Sequence, residues 1–141
     1  GPICDGREGG GAAAGEPQER GGGGAVAGVE PRVMGFGPVF AIQKALQRAG
    51  LMLSDMDTIE INEAFASQVL GCLKLLDVDF SDSRVNPNGG AIAVGHPLGA
   101  SGARIALTAI RQLEQGGGRY AAISLCIGIG QGLAAILERV D

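Results

Sequence analysis

From Ala25 onward the apolar residues of this chain change period, from every third or fourth position to every second and back. A chain that does so buries its faces only as helices layered on a sheet. Between Pro38 and Ala49, Val39, Ile42, Leu46 and Ala49 fall on one side of a helix, with Gln43, Lys44, Gln47 and Arg48 elsewhere and Gly50 as a stop. Residues 57–61 alternate as a short strand, and from Glu63 the residues Phe65, Val69, Cys72, Leu73 and Leu76 return to helical spacing. Asn62 therefore stands at a strand-to-helix junction. A third helix is expected from Ser101, read as its N-cap, through Ala103, Ala106, Ile110 and Leu113 to Gly116-Gly-Gly118. Strands over 120–127 and 133–140, separated by a short glycine-rich segment, predict an antiparallel hairpin. The expected fold is α/β: a layered βαβαβ-type mixed sheet with helices and a terminal antiparallel hairpin.

The first 24 residues read differently. Arg7 to Gly24 contain only Gly, Ala, Glu, Arg, Pro and Gln, none of which fills a core with a large apolar side chain. The expectation is a low-complexity, disordered segment over 1–24 and one folded domain over 25–141, a size that 141 residues allow. A net charge of −4, with Lys44 and Lys74 far apart, leaves no basic stripe for nucleic acid. No apolar run reaches the roughly 20 residues of a membrane span, and no leader of the secretory kind opens the chain. The chain thus reads as soluble and cytoplasmic, or of an organelle's matrix. Three cysteines and one histidine give no familiar metal cage, so no metal is expected and the thiols are read as reduced.

Four segments put polar groups where loops meet regular structure: Asn62-Glu-Ala-Phe65, Asn86-Pro-Asn-Gly-Gly90, Gly95-His-Pro-Leu-Gly99 and Cys126-Ile-Gly-Ile-Gly-Gln-Gly132. His96, between a glycine and a proline, is either a surface loop histidine or an imidazole held in a fixed direction. Cys126, on the strand face of Tyr120, Ala122 and Ser124, is either a small core residue or a thiol at a strand end. Gly128, two residues on, leaves a backbone N–H free to face a substrate oxygen. Asn62 is either a helix cap or an amide that orients a water or donates to an oxyanion, and the two are compatible. Two nucleotide-binding patterns fail. Among Gly128, Gly130 and Gly132 the third glycine falls one residue early, with Leu133 in the required place and a strand following, and the Gly95 to Ser101 stretch has no lysine.

Taken in order, Met34-Gly-Phe-Gly-Pro38, Asn62-Glu-Ala-Phe65, Asn86-Pro-Asn-Gly-Gly-Ala-Ile-Ala93, Gly95-His-Pro-Leu-Gly-Ala-Ser-Gly-Ala-Arg104 and Cys126-Ile-Gly-Ile-Gly-Gln-Gly132 resemble the C-terminal half of thiolases, from about Ala25 to Arg139. The 3-oxoacyl-CoA and β-ketoadipyl-CoA members look nearest. The resemblance implies an acyltransferase that cleaves a 3-oxoacyl thioester of coenzyme A, or runs the reverse condensation, with coenzyme A and acyl-CoA as substrates and no cofactor. It makes His96 the activator of a nucleophilic cysteine and a holder of the thioester oxygen. Asn62 becomes the positioner of an oxyanion-hole water, Cys126 the acid/base at the α-carbon, and Gly128 a donor to a second oxyanion hole. Phe65 and Ala64 would line the substrate channel.

The family's nucleophilic cysteine belongs to an N-terminal half, and neither Cys4 nor Cys72 has the flanking sequence to replace it. An N-terminal half or full thiolase subunit is therefore an expected partner, with homo-oligomers expected of the complete enzyme and no turnover expected of the chain alone. A non-catalytic module binding acyl-CoA or another thiolase subunit is the alternative. Ile3-Cys-Asp-Gly6 resembles the segment entering the C-terminal half, but Arg7 to Gly24 departs from the buried strand and helix that follow it in the family. That departure suggests an altered reading frame or a truncated product, and an open sheet edge prone to association.

Overall fold

The computed structural model describes residues 19–140. Four strands, β1 (Glu19–Gly28), β2 (Thr58–Ile61), β3 (Tyr120–Ile127) and β4 (Gln131–Arg139), form one sheet in the order β1-β4-β3-β2. The β1/β4 and β3/β4 pairs are antiparallel and the β2/β3 pair is parallel, so the sheet is mixed, as expected. The helices are α1 (Gly37–Ala49), α2 (Ala66–Leu75), the single turn α3 (Ala91–Val94) and the long α4 (Leu98–Gly116).

Three layers follow from the period-2 alternation of the strands. One face of the sheet, with Ile59, Ile61, Ala122, Ala134 and Ile136, packs on Val39, Ile42 and Leu46 of α1 and on Val69, Cys72 and Leu73 of α2. The opposite face, with Ala121, Ile123 and Leu125, packs on Ile105, Ala109 and Leu113 of α4. Helix α1 stops where the sequence predicts, at Gly50, whose φ of 69° suits a residue without Cβ, and α4 stops at Gly117 with φ 70°.

Several expectations are corrected. The strand β1 begins at Glu19, six residues inside the stretch read as disordered, and it pairs along β4, becoming the edge strand of the sheet. The composition argument counted side chains available for a core, whereas β1 is held through its main chain. It pairs along β4 and lies against α1, which donates Lys44 Nζ to the Val26 carbonyl (3.0 Å) and Arg48 Nη1 to the Gly24 carbonyl (2.6 Å). Cys4 and the rest of residues 1–18 lie outside the described residues. Ser101 is no N-cap, because α4 already starts at Leu98 with Pro97 before it. The buried stripe of α4 is Ser101, Ile105, Ala109 and Leu113, while Ala103 is exposed. Alanines and glycines on every side of this helix blur its apolar face, and packing against Ala121, Ile123 and Leu125 of the sheet decides which stripe is buried. Helix α2 begins at Ala66 rather than Glu63, leaving Phe65 outside the core.

Candidate active site

The C-terminal ends of the parallel pair β2 and β3 bring the singled-out residues to one end of the sheet. Past β2 the ladder continues for one more bond, from the Asn62 N–H to the Ser124 carbonyl (2.9 Å), two residues before Cys126. Helix α4 runs antiparallel to these strands. Its C-terminal end is tied to their start, where the Asp57 carboxylate accepts the N–H groups of Arg119 (2.7 Å) and Tyr120 (3.0 Å) and Gly118 leaves no room for a Cβ beside Asp57. A 19-residue helix is about 28 Å long, and the 8-residue β3 spans about 26 Å. The N-terminal end of α4, with His96 just before it, therefore lies over the ends of β2 and β3. Ligand sites of open α/β sheets form at this edge, because the loops leave the strands there.

Asn62 is 2% exposed, yet among the described residues neither its Oδ1 nor its Nδ2 has a hydrogen-bond partner. The cap reading fails, since α2 starts four residues later and its N-cap Phe65 offers no side-chain bond. Two neighbours hold the Asn62 backbone in place. Asn86, with φ 43°, acts as a substitute strand residue: its Oδ1 accepts the Ile61 N–H (2.9 Å) and its Nδ2 donates to the Ile61 carbonyl (3.0 Å) and to Glu63 Oε1 (3.1 Å). The Glu63 carboxylate also accepts the Ile92 N–H (2.9 Å) at the start of α3, and a Cβ on Gly90 would stand 2.6 Å from both carboxylate oxygens. Gln68 secures the far side of the turn, accepting the Ala64 N–H (3.2 Å) and donating to the Gly35 carbonyl (3.1 Å).

His96 is exposed, and its Nδ1 lies 2.6 Å from Ser101 Oγ. Ser101 Oγ also stands 3.1 Å from the Pro97 carbonyl, and a hydroxyl that donates there leaves its oxygen to accept from Nδ1–H. In that arrangement the proton sits on Nδ1 and Nε2 is the free acceptor.

Cys126 is half-buried at the end of β3, and burial pushes its thiol above the ordinary value. Strand parity turns it toward the α1/α2 face, close enough to Cys72 for the two thiols to interact electrostatically. Cys72 itself is buried and pushed up to about 11, by burial first, so it is an inert core thiol. Asn62 and His96 lie on the α4 side. The three thus share an end of the sheet without sharing a face, and the rim of β3 is where the faces meet. Gly128 follows in the hairpin turn with φ 56°. Of the channel candidates, Phe65 is 72% exposed and Ala64 is half-buried.

The sequence reading passed over Ser101, Glu63, Asn86 and Gln68 as site-building residues. Ser101 lies five residues past His96, a spacing that signals contact only once α4 is known to start between them.

The family model described as thiolase, C-terminal domain, matches residues 16–139. The chain belongs to the thiolase family. Its relatives include a β-ketoadipyl-CoA thiolase of Acinetobacter baylyi, 63% identical over 80% of this chain and 28% of that protein. Another is the 3-oxoadipyl-CoA/3-oxo-5,6-dehydrosuberyl-CoA thiolase of Escherichia coli, 59% identical over 88% of this chain and 31% of that protein. Among solved structures, human mitochondrial 3-ketoacyl-CoA thiolase in complex with CoA superimposes with a TM-score of 0.86 at 51% identity, covering 89% of this chain and 32% of that one. The chain thus spans about three tenths of the thiolases it matches, and the thiolase match begins inside the segment that composition had set apart. Among the described residues no helix is long and apolar enough to cross a membrane.

Proposed function

We propose that this chain supplies the C-terminal half of a thiolase active site and that, joined to an N-terminal half bearing the nucleophilic cysteine, it transfers acyl groups to and from coenzyme A. The observation that carries this reading is the Asn62 amide, buried and unpartnered at the strand end where His96 and Cys126 also arrive. In thiolytic cleavage the partner half's thiolate attacks the ketone carbon of a 3-oxoacyl-CoA. The bond between the ketone carbon and the α-carbon breaks, and its electron pair leaves as the enolate of acetyl-CoA. Cys126, whose raised pKa keeps it protonated at neutral pH, gives its proton to that carbon. The acyl group then passes from the enzyme sulfur to the thiol of coenzyme A, whose proton returns to the Cys126 thiolate left by the first step. His96, with Nε2 free, accepts the proton that activates the nucleophile, and its protonated form donates to the thioester oxygen beside water held by Asn62. Gly128 provides the backbone donor of the second oxyanion hole, and the exposed Phe65 with Ala64 borders the pantetheine channel. The relatives' names make β-ketoadipyl-CoA the first substrate to test.

The experiment is reconstitution with a matching N-terminal half, comparing Cys126→Ala with His96→Ala. Cys126→Ala should retain acyl-enzyme formation from a simple acyl-CoA, read by mass spectrometry, and lose α-proton exchange of bound acetyl-CoA. His96→Ala should lose both by about 10²-fold or more. Exchange that survives in Cys126→Ala would remove that residue from the chemistry. Acyl-CoA binding without any acyl transfer would favour the non-catalytic module.

A further inference from the structure

A second buried polar group stands beside Asn62 and is used by none of the steps above. Glu60 is 2% exposed, and among the described residues its Oε1 has no hydrogen-bond partner. Two residues apart along β2, Glu60 and Asn62 point to the same face of the sheet, toward α4. Both line one cavity of about 190 Å³, whose lining also includes Asn88 and, from α4, Arg104, Ile105 and Thr108. Apolar cavities stay dry. One into which two buried hydrogen-bonding side chains open, and which has room for more than a single molecule, is the kind that holds ordered water.

We propose that this cavity is an internal hydration site, in which water bridges Glu60 Oε1 to the Asn62 carboxamide, and that Glu60 is thereby a positioning residue for Asn62. The carboxamide has a donor end and an acceptor end, so which end it turns to the bridge depends on what Glu60 offers. A protonated Glu60 donates into the bridge and an ionised one only accepts, so the polarity of the bridge, and with it the orientation of the Asn62 amide, follows the Glu60 proton. The charged groups facing Glu60 are Glu63, from the turn after β2, and Arg104, from α4, while Asn88 and Thr108 are neutral. Burial, and after it the Glu63 carboxylate, push Glu60 up to about 7, with Arg104 opposing. The exchange of polarity then falls near neutral pH.

The site rests on this chain's own geometry, and only its consequence for catalysis depends on the thiolase reading. The test therefore reads no turnover. In the full chain, labelled with ¹³C and ¹⁵N, the Glu60 carboxyl carbon and the Asn62 side-chain amide are followed against pH by NMR, with water-to-amide cross-relaxation recorded at each end. The expected result is a shared midpoint near 7, water cross-peaks to the Asn62 amide, and loss of the amide transition in Glu60→Gln. Arg104→Met should move the shared midpoint upward, because a positive charge that lowers it is gone, and this arm decides the matter if Glu60→Gln does not fold. An Asn62 amide that keeps its transition in Glu60→Gln, or that stays still while Glu60 titrates, would overturn the bridge, as would a midpoint unmoved in Arg104→Met.

Discussion

His96 and Ser101 show how one residue's chemistry is decided by another's remaining valence. The Ser101 hydroxyl has one proton and two acceptors within reach, the Pro97 carbonyl and His96 Nδ1; given to the carbonyl, it leaves the oxygen to receive from His96 and favours the Nδ1–H tautomer. Ser101→Ala removes that acceptor. In ¹⁵N spectra of the chain the His96 ring should then shift toward the Nε2–H form, and acyl-enzyme formation in a reconstituted thiolase should fall by about 10²-fold, the low end of what a general base contributes. An unchanged tautomer would assign the orientation of His96 to its flanking glycine and proline instead. At this scale the sequence named His96, Cys126, Asn62 and Gly128 because each sits in a short motif with unusual neighbours. It read Ser101 only as a helix cap and did not name Glu60; their partners lie across a helix start and across a cavity, where no local pattern marks them. For Asn62, whether it caps a helix or faces a site depended on where α2 begins, and four residues of offset settled against the cap.

Among the elements, the short strand β2 shows most plainly what holds the site in register. It has β3 on one side only, and its other edge is completed by residues 84–86, which bond to Ile59 through the Arg84 carbonyl (2.8 Å) and the Asn86 N–H (2.9 Å), and then by the Asn86 side chain at Ile61. Asn86→Ala removes three side-chain hydrogen bonds, each worth about 0.5–1.5 kcal/mol net. It also puts alanine at φ 43°, a left-handed conformation that asparagine's short polar side chain tolerates better, at a further cost of about 1 kcal/mol. Urea unfolding should show a loss of roughly 2.5–5.5 kcal/mol. Asn86→Gly loses the same bonds but tolerates the backbone, so it should be about 1 kcal/mol less harmful. Equal losses in the two variants would mean that the left-handed conformation is unimportant there. The periods of α1, α2 and β3 were legible because one face of each is apolar throughout. The face of α4 was not, since small residues surround it and packing against Ile123 and Leu125 decided the stripe.

Over the whole molecule, β1 changes the balance most. A chain beginning at Ala25, where composition alone would start the domain, loses the pairing of Glu19 to Gly24 with β4 and the Arg48 bond to the Gly24 carbonyl. It should be less stable by roughly 2–4 kcal/mol, several main-chain bonds at about 1 kcal/mol each. It should also self-associate in sedimentation experiments, because the exposed edge of β4 offers unpaired N–H and C=O groups to another strand. A shortened chain as stable and as monomeric as the parent would restore the boundary at Ala25. By itself the sequence determined the layered α/β class, the terminal hairpin, the helix stops at Gly50 and Gly117, and the motifs that carry the family likeness. These depend on side-chain period and on glycine's access to positive φ, both of which are local. Only the tertiary structure decided that a glycine-rich segment is a strand, which side of α4 is buried, and that Glu60 and Asn62 open into one cavity. Main-chain pairing, the choice among small-residue faces and the satisfaction of buried polar groups all depend on what the rest of the chain brings alongside, and no window of sequence contains that.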